Sequence, residues 1–431
     1  MSRLMKETRI EWLREIPQKW EVSRIKDCTF LKARIGWQNL RSDEFVDNTN
    51  WYCVTGQDFV DGKINWGNCY CVSEERYNQD KNIQLKVGDL LLTKDGTIGK
   101  TAFIDELPKK ATLNSGVFVI RPIFDKFSNK YMFWVLNSKS FTYFIDFFKN
   151  GSTVLHLYQN VFERFTFPLP SLSEQHAIAN FLDHKLAVMD AQIALLEKKR
   201  ETYLRLRKSL INQTVRKGLN PKAEMKESGI EWLGKIPKHW EVKRLKDIAI
   251  FVNGYAFSSK DFCYEGIPVI RIGNIFENHI DLRNSLKVSE DNLLKGYEIR
   301  QNDILIAMSG ATIGKNTIVK NFGKAYINQR VGIIRSFYNS FIRFIINSNS
   351  FLDYILIVNA SSAQPNISST NILNYFFALP PLSEQRAIAE YLDVQSAKID
   401  AIVENIGKQL TKLAQLKKSL INECVTGERK V

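Results

Sequence analysis

The chain has few of the residues that build metal centres and disulfide frameworks. It contains 6 cysteines and 5 histidines among 431 residues. The cysteines form no pair of Cys-x-x-Cys units, and Cys69-x-Cys71 supplies too few ligands for a tetrahedral zinc site. No histidine stands four residues from another, which excludes the helical two-histidine zinc motif. The sequence therefore predicts no metal site and, in a cytosolic chain, reduced thiols.

Long apolar segments are also missing. No run approaches the ~18 residues that a membrane-spanning helix needs. The two most apolar stretches, Tyr131 to Leu136 and Phe341 to Ile346, are followed by Asn-Ser-Lys and Asn-Ser-Asn. The first residues lack both the apolar segment and the cleavage site of a secretory signal. We therefore expect a cytoplasmic protein that makes no membrane contact.

Positive charge is the first informative presence. Lysine plus arginine number 60 against 46 aspartates and glutamates, a formal net charge of +14. Such an excess favours an anionic partner, although charge alone leaves DNA, RNA and acidic lipid open. Hydrophobic residues make up 44% of the chain, which is ordinary for a globular protein and allows a sizeable core.

The chain is an internal repeat. Residues 10–27 and 230–247, which both begin Ile-Glu-Trp-Leu, are identical at 12 of 18 positions. Residues 169–183 and 379–393, both Leu-Pro-x-Leu-Ser-Glu-Gln-x-Ala-Ile-Ala in their first part, are identical at 11 of 15. Chance would give about one match in each block. Two copies of one unit, which differ by small insertions, therefore fill most of the sequence.

Between these blocks only a skeleton survives. Asp89 faces Asp303, Asn114 faces Asn328, and the glycine-rich turn at 96–100 faces the turn at 310–315. The two copies thus share a set of matching residues but differ in the residues between them. This is expected of a binding module that recognises two different targets with the same geometry. A duplicated structural domain whose copies have drifted is the alternative, and both remain open at this point.

A helical pattern follows each Pro-Leu block. Apolar residues recur at alternating steps of 4 and 3, the a/d seam of a heptad repeat, in the same register in both copies. Polar Arg200, Arg207 and Lys417 also occupy seam positions, where they weaken the seam and set its register. A pseudo-two-fold axis would pair the two helices antiparallel and satisfy both stripes. The predicted apolar seam residues are Met189, Ile193, Leu196, Tyr203, Leu210, Ile399, Val403, Ile406, Leu410, Leu413 and Leu420.

The remaining residues predict an α+β globular domain in each copy. Short β-branched runs at 117–121, 267–272, 303–306 and 331–335 predict strands, and 131–148 and 341–358 predict helices with a buried aromatic stripe. The predicted fold is α+β, with two similar globular domains separated by a pair of long antiparallel coiled-coil helices. The predicted segments are a first domain at 1–182, a first spacer helix at 183–215, a linker at 216–228, a second domain at 229–392 and a second spacer helix at 393–427.

The candidate catalytic motifs of the sequence are incomplete. A P-loop needs glycine five residues before its Gly-Lys-[Ser/Thr], but Lys94 stands there in the first copy and Ser309 in the second. The turns still present Lys100 and Lys315, which suit a DNA phosphate. Pro380-Pro381 lacks the flanking asparagine and aromatic residue of an adenine methyltransferase motif, and no Ser/His/Asp or Cys/His arrangement recurs in both copies. The sequence therefore predicts a protein without catalytic machinery.

The repeated motifs resemble those of a known family. The twofold repeat, the Pro-Leu-Ser-Glu-Gln-x-Ala-Ile-Ala start of a long helix, the Gly-Thr-Ile-Gly-Lys turns and the Gly-Ile-Glu-Trp-Leu-Gly-x-Ile-Pro block at 229–240 are similar to the specificity (S, HsdS) subunit of type I restriction-modification enzymes. The resemblance covers nearly the whole chain. It departs at one loop, where 154–158 reads Val-Leu-His-Leu-Tyr and 364–368 reads Gln-Pro-Asn-Ile-Ser.

The resemblance implies a function and partners. Each globular domain becomes a target-recognition domain that reads one half of a bipartite, asymmetric DNA site, held at a set spacing by the paired helices. Two modification subunits would methylate adenine with S-adenosylmethionine, and two restriction subunits would use ATP and Mg²⁺, so no cofactor is expected in this chain. The main rival is a stand-alone, non-catalytic DNA-binding repressor or scaffold, and an enzyme within this chain is a third possibility.

Polar residues in or beside the shared turns are the predicted DNA contacts, because arginine, asparagine and glutamine can hydrogen-bond base edges. For each of them the alternative is a solvated side chain, and for Arg271 a structural ion pair. These candidates are Lys94, Thr97, Lys100, Asn114, Ser115, Arg271, Asn274, Ser309, Thr312, Lys315, Asn328 and Gln329.

The mouth of each long helix is the predicted partner interface, because it resembles the docking region of the family. Ser173 and Ser383 are also candidate helix N-caps. The predicted interface residues are Leu172, Glu174, Gln175, Ile178, Leu382, Glu384, Gln385 and Ile388.

Overall fold

The computed structural model describes residues 3–35, 40, 44–149, 156–276, 279–359 and 366–431. The chain divides into two compact units. Unit 1 is built from Met1–Leu196 and Lys408–Val431, and unit 2 from Glu197–Gly407. Unit 1 therefore joins the first part of the chain to its last residues.

Unit 1 contains a four-stranded antiparallel sheet, a three-stranded mixed sheet and three two-stranded pairs. Its strands are β1 Met5–Ile10, β2 Leu13–Pro17, β3 Glu21–Arg24, β4 Thr29–Ala33, β5 Trp51–Val54, β6 Phe59–Val60, β7 Lys63–Ile64, β8 Tyr70–Cys71, β9 Leu90–Thr93, β10 Thr101–Phe103, β11 Lys110–Leu113, β12 Val117–Pro122 and β13 Thr166–Leu169. Its shorter helices are α1 Ile25–Cys28, α2 Glu74–Asn78, α3 Asn129–Leu136, α4 Lys139–Lys149 and α5 Gln159–Phe162.

Unit 2 repeats the arrangement, with two four-stranded sheets and two strand pairs. Its strands are β14 Met225–Glu227, β15 Lys235–Pro237, β16 Glu241–Arg244, β17 Ile250–Asn253, β18 Phe262–Cys263, β19 Ile267–Ile270, β20 Leu286–Val288, β21 Ile304–Ala307, β22 Asn316–Ile318, β23 Tyr326–Ile327, β24 Val331–Arg335 and β25 Phe376–Leu379. Its shorter helices are α7 Asn339–Ile346, α8 Asn349–Asn359 and α9 Ser369–Leu373. Two long helices, α6 Leu172–Lys217 and α10 Leu382–Thr426, each contribute residues to both units.

The main sheets share one order. Unit 1 runs β10-β9-β12-β4 and unit 2 runs β22-β21-β24-β17, with every neighbour antiparallel. Three predicted strands coincide with β12, β21 and β24. The fourth, predicted over 267–272, ends at Ile270 because the chain turns into a short 3-10 helix over Ile272–Asn274. The predicted α+β internal repeat is confirmed.

A buried ion pair locks the main sheet of each unit. In unit 2, Arg335 donates to Asp303 from Nε at 2.7 Å and from Nη2 at 2.5 Å. In unit 1, Arg121 donates to Asp89 from Nε at 2.7 Å and from Nη2 at 2.6 Å. The bond to Asp303 raises the pKa of the Arg335 guanidinium. Asp89 and Asp303, which occupy equivalent positions in the two copies, therefore have a structural role in the main sheets.

The predicted aromatic helices are each broken into two. α3 and α4 are separated at Asn137 and Ser138, and α7 and α8 at the equivalent Asn347 and Ser348. Each serine hydroxyl donates back to the carbonyl of the residue three before it at 2.6 Å, which ends the first helix. The bend between α7 and α8 is 61°. A single helix was therefore the wrong prediction for both stretches.

The bent pair also bears on the membrane question. Within the described part of the chain no single helix is both long and apolar enough to cross a bilayer. The α7–α8 pair has a suitable length and composition only when its two helices are taken together. Most apolar side chains of α7, including Phe341 and Ile345, are buried in the core of unit 2.

The long helices begin earlier than the heptad pattern predicts. α6 starts at Leu172 and α10 at Leu382, each eleven residues before the predicted spacer boundary at 183 or 393. The N-cap of α6 is Ser171, whose hydroxyl accepts from Glu174 N at 3.4 Å. Ser173 and Ser383 lie inside the first turn, so their prediction as N-caps is wrong. The prediction missed these turns because they bury Ile178 and its equivalent in a globular core rather than along a helix partner.

The seam residues lie on the less exposed stripe of each long helix. All eleven predicted apolar seam residues, from Met189 to Leu420, are buried or half-buried, whereas most of their neighbours are exposed. Arg207 at a polar seam position has Nε 3.6 Å from Asp400 Oδ1 in unit 2. Lys417 pairs with Asp190 in unit 1. Two of the three polar seam residues thus have a carboxylate partner on the opposite long helix within their unit.

Each unit completes its core with the end of a helix that starts in the other repeat. Ile421, Cys424 and Val425 of α10 are buried in the main core of unit 1. Ile211 and Val215 of α6 are buried in the main core of unit 2. The boundary predicted at 215, and the linker predicted from 216, therefore fall at a helix end that packs inside a domain core.

A tryptophan marks the same joint in both units. Trp20 Nε1 donates to Glu174 Oε2 at 2.8 Å, and Trp240 Nε1 donates to Glu384 Oε2 at 3.0 Å. The glycine that follows each helix end, Gly427 or Gly218, has a φ of +79° or +72°. A Cβ on these glycines would lie 2.9 Å from Trp20 Cη2 and 3.0 Å from Trp240 Cζ2. Both the left-handed backbone and the close approach require glycine.

Alanine at these two glycines should therefore destabilise the protein. We expect Gly218→Ala and Gly427→Ala each to lower the free energy of unfolding by about 1–3 kcal/mol, the cost of a left-handed non-glycine residue. Gly407 is the control, because it lies within α10 and a Cβ there meets no atom within 4 Å. Gly407→Ala should raise stability by about 0.5–1 kcal/mol. Urea denaturation followed by tryptophan fluorescence measures all three, and the same sign for all of them would contradict the joint.

Candidate nucleic-acid interface

The two units place polar side chains at the same edge of an equivalent strand pair. In unit 1, β5 and β11 run parallel, and Thr55 and Asn114 follow them directly. In unit 2, β19 and β23 run parallel, and Arg271 and Asn328 follow them. The carboxyl ends of parallel strands meet at one edge of a sheet, so these residues lie side by side. The skeletal match of Asn114 to Asn328 reflects this shared edge.

The turn after the first strand of each pair is built in the same way. Thr55 N donates to Asp58 Oδ2 at 2.7 Å, and Arg271 N donates to Asn274 Oδ1 at 2.9 Å. Burial raises the pKa of the Asp58 carboxyl, against hydrogen bonds from Thr55 that lower it. Asn274 is buried, and its Nδ2 also donates to the carbonyl of Asp281 at 2.8 Å. Asn274, a predicted DNA contact, therefore forms the turn: its side-chain oxygen accepts from one backbone group and its amide nitrogen donates to another.

The first pocket lies at this edge of unit 1 and has a volume of about 510 Å³. Three of the predicted contacts in unit 1, Thr97, Lys100 and Asn114, line it together. Phe45, Gln57 and Tyr70 also line it and were not predicted. The rings of Phe45 and Tyr70 stack at 4.3 Å between centroids. The first pocket thus combines amides, one lysine and an aromatic stack.

The other two predicted contacts of unit 1 are held by neighbours. Lys94 Nζ is 3.4 Å from Asp95 Oδ2 and 5.8 Å from the centre of the Phe118 ring, and 13% of its side chain is exposed. Lys94 is therefore directed inward, which the sequence could not reveal. Ser115 N donates to Asn114 Oδ1 at 2.8 Å.

The glycine-rich turn of each unit is tied to the loop before the last strand. Asp95 and His156 form an isolated antiparallel β-bridge, and the Asp95 carboxylate also hydrogen-bonds the imidazole ring of His156. Ser309 and Asn366 form the equivalent β-bridge in unit 2. One residue further on, Leu157 N donates to Lys94 O and Ile367 N donates to Met308 O, both at 2.8 Å. The loops that differ in sequence at 154–158 and 364–368 therefore hold the turns through equivalent backbone contacts. Residues 154–155 and 364–365 lie outside the described part of the chain.

The second pocket lies at the equivalent edge of unit 2 and has a volume of about 560 Å³. Four predicted contacts line it together, namely Arg271, Asn274, Asn328 and Gln329. Asn284 and Arg330 line it as well and were not predicted. A sequence signal could have revealed both pockets. Thr55-x-x-Asp58 in the first copy corresponds to Arg271-x-x-Asn274 in the second, and each follows a β-branched or apolar run.

The remaining predicted contacts form the glycine-rich turn of unit 2. Lys315 Nζ lies 4.5 Å from the centre of the Phe276 ring, a cation–π contact. Thr312 and Lys315 line a neighbouring cavity of about 810 Å³ rather than the second pocket. The hydroxyls of Ser309 and Thr312 are buried without a hydrogen-bond partner among the described residues. These three residues therefore stand beside the pocket and not in it.

The mouths of the long helices are mostly interior. Gln175 and Gln385 are buried, and their Nε2 atoms donate to Pro170 O at 2.9 Å and to Pro380 O at 2.8 Å. Ile178 and Ile388 belong to the unit cores. Together with Glu174 and Glu384, which accept from the tryptophans, six of the eight predicted interface residues have a structural role. Leu172 and Leu382 are the exceptions, with 42% and 38% of their surfaces exposed.

Comparisons with known proteins place these features in one family. A family model for the type I restriction modification DNA specificity domain matches residues 17–202 and 237–412. The MjaVIII specificity subunit of a type I restriction enzyme from Methanocaldococcus jannaschii is 28% identical over 430 residues, which cover 96% of this chain and 94% of that protein. The EcoBI specificity subunit from Escherichia coli is 26% identical over 364 residues, which cover 79% of this chain and 73% of that protein.

Solved structures show the same fold. A chain solved in a study of complex assembly and conformational transition of the type I R-M system superposes with a TM-score of 0.74 at 16% identity, and the match covers 96% of this chain and 99% of that one. The HsdS subunit from Thermoanaerobacter tengcongensis gives a TM-score of 0.54 at 17% identity over 96% of this chain and 98% of that one. At such identities the likeness concerns the fold alone. Within the described residues no cluster of histidine, cysteine or carboxylate side chains is arranged to hold a metal ion.

Proposed function

This chain belongs to the family of type I restriction-modification DNA specificity proteins, and we propose that its two pockets each read one half of a bipartite, asymmetric DNA site. The chain is a non-catalytic specificity subunit that recognises the DNA target, and the catalytic activities of such systems lie in partner subunits. The stand-alone repressor is not favoured by the family match.

The observation that carries the proposal is the equivalence of the two pockets in position and their difference in lining. Both stand at the carboxyl edge of a parallel strand pair, beside a glycine-rich turn held by the same backbone contacts. One is lined by Gln57, Lys100 and Tyr70, and the other by Arg271, Gln329 and Arg330. A shared frame with unlike polar contents reads two unlike sequences, because base edges are distinguished by their pattern of donors and acceptors.

Positioning and reading are divided between different groups. Lys100 in the first unit lies on an exposed turn, where an ammonium group can neutralise a DNA phosphate of any sequence. The net charge of +14 supports such contacts over a wide surface. The amide and guanidinium groups of the two pockets would then determine which bases are bound.

The subunit acts within a complex. We propose that it assembles with two modification subunits, which methylate adenine with S-adenosylmethionine, and with two restriction subunits, which use ATP and Mg²⁺. The internal repeat supports two copies of each partner, because the exposed leucine at the start of the long helix occurs once in each repeat. This chain itself would then need no cofactor.

The experiment that tests the proposal is single-molecule sequencing of host DNA before and after deletion of the gene. We expect a bipartite motif with methylated adenine on both strands to vanish on deletion and to return with the wild-type gene. An unchanged pattern of methylation would overturn the proposal. Changed transcription with unchanged methylation would instead favour a repressor.

The exposed leucines at the helix mouths offer a test of partner docking. We expect Leu172→Asp combined with Leu382→Asp to abolish co-purification of the modification subunit, because each places a charge in a surface that the partner would dehydrate. Leu293→Asp is the matched control, since Leu293 is 83% exposed and lies outside both helix mouths. Retained stoichiometric assembly of the double variant would count against this interface. Ile178 and Ile388 are unsuitable for the test, because a charge there would disrupt a core.

A further inference from the structure

The second pocket contains guanidinium groups with unused donors. Arg271 Nη2 donates to the backbone carbonyl of Asn284 at 3.1 Å, which anchors the side chain beside the pocket. Its Nε is buried and has no partner among the described residues. A buried donor without an acceptor is costly, so a ligand that supplies an acceptor here would be favoured.

Arg330 supplies a second guanidinium at the same place. Its backbone is fixed, since its N donates to Asn328 Oδ1 at 3.2 Å and its carbonyl accepts from Met308 N at 2.9 Å. Its side chain is exposed, and no hydrogen bond or ion pair joins it to the part of the chain that the structure describes. None of the described residues that line this pocket is an aspartate or a glutamate. Both guanidiniums therefore have donors available for an acceptor that comes from outside the chain.

The first pocket has a different chemistry at the equivalent positions. Thr55 stands where unit 2 has Arg271, and its hydroxyl donates to Asp58 Oδ2 at 3.0 Å. The first pocket is lined by Lys100, the carboxylate of Asp95 and the amide of Gln57, among others, but by no arginine among the described residues. The two pockets therefore differ in whether they contain a guanidinium group that can donate two parallel hydrogen bonds to a base.

Acceptor geometry identifies the base that suits the second pocket. Guanine presents two acceptors, N7 and O6, side by side in the major groove, and the guanidinium fork matches them with two hydrogen bonds. Adenine presents one acceptor and one donor there, so it repels one arm of the fork. We propose that the half-site read by unit 2 contains an invariant guanine whose major-groove edge is bound by Arg271 and Arg330. This rests on the proposed function of the two pockets.

The test uses the complex of this chain with its modification subunit and an oligonucleotide that carries the methylated motif. The half-site of unit 2 is the one that changes when residues 245–375 are exchanged. Replacing its guanine by 7-deazaguanine removes one acceptor, and binding of the wild-type complex should weaken about 5- to 150-fold, the range of a bidentate pair. Arg271→Lys and Arg330→Lys keep the positive charge but lose the fork. Arg300→Ala is the control for loss of an exposed arginine of the same unit outside the pocket.

The outcomes separate the inference from the function on which it rests. We expect at least one of the two lysine variants to bind normal and 7-deazaguanine DNA equally, at the weakened level of the wild type on the analogue, while Arg300→Ala keeps the full discrimination. If no G·C pair is invariant in this half-site, or if both variants still distinguish the analogue, the inference is wrong and the two-pocket function stands. If the complex shows no bipartite motif at all, both are wrong. Circular dichroism of each variant confirms that it is folded before binding is compared.

Discussion

Exchange of residues 25–165 for the equivalent segment of another specificity subunit is expected to replace one half of the methylated site completely and to leave the other half and the gap unchanged. The junctions are chosen from the structure. β3 pairs with β13, and Ile25 N donates to Phe165 O at 2.9 Å, so the segment leaves and rejoins the frame at adjacent points. The base-reading pocket moves as a whole, while the long helices stay in place.

The reciprocal exchange is the control for this result. β16 pairs with β25, and Leu245 N donates to Tyr375 O at 3.0 Å, so residues 245–375 form the matching segment of unit 2. Its exchange should change only the other half of the site. Sequencing of methylated DNA reads both results. A single exchange that altered both halves would show that the pockets do not read independently.

Removal of the Asp303 carboxylate is expected to cost about 3–5 kcal/mol of stability, because it leaves a largely buried guanidinium without its counter-charge. The side chain of Asp303 is 2% exposed and that of Arg335 is 19% exposed. Asp303 also accepts from Arg300 N at 2.7 Å, so Asp303→Ala breaks the turn before β21 as well as the ion pair. Urea denaturation of Asp303→Ala measures the loss.

A matched exposed pair shows what the same chemistry is worth in water. Lys235 and Glu227 lie 3.7 Å apart in unit 2 with 68% and 72% of their side chains exposed. Glu227→Ala should change stability by less than about 1 kcal/mol. Asp89→Ala should reproduce the large effect in unit 1, where the same pair recurs with Arg121. Equal and small effects for Asp303→Ala and Glu227→Ala would show that the buried pair does not stabilise the frame.

The parts of the fold that were predictable are those in which spacing alone decides burial. The alternating steps of 4 and 3 identify the seam, because a helix that pairs with another must place apolar residues on one stripe. The strands β12 and β24 were predictable because a short run of β-branched and other apolar residues is typical of a strand that is buried in a core. Identity between the copies located the frame without any knowledge of three-dimensional contacts.

The parts that were missed depend on where a side chain points or on contacts far along the chain. Lys94 and Asn274 are polar and stand beside turns that the two copies share, yet one pairs with the carboxylate of the next residue and the other closes a turn. The early start of α6 was hidden because its first turns pack on a domain core and obey no heptad. Gln57 and Arg330 were missed because nothing recurs at their positions, which is what distinguishes a reading residue from a frame residue.

The helix end that completes unit 1 has a consequence for how the protein is made. Ile421, Cys424 and Val425 are synthesised long after Leu13 and Trp20, yet all five residues belong to one core. The core of unit 1 is therefore complete only after unit 2 and the end of α10 have been synthesised. A stop codon introduced just before Ile421 would consequently damage the core of unit 1, most of which is translated earlier.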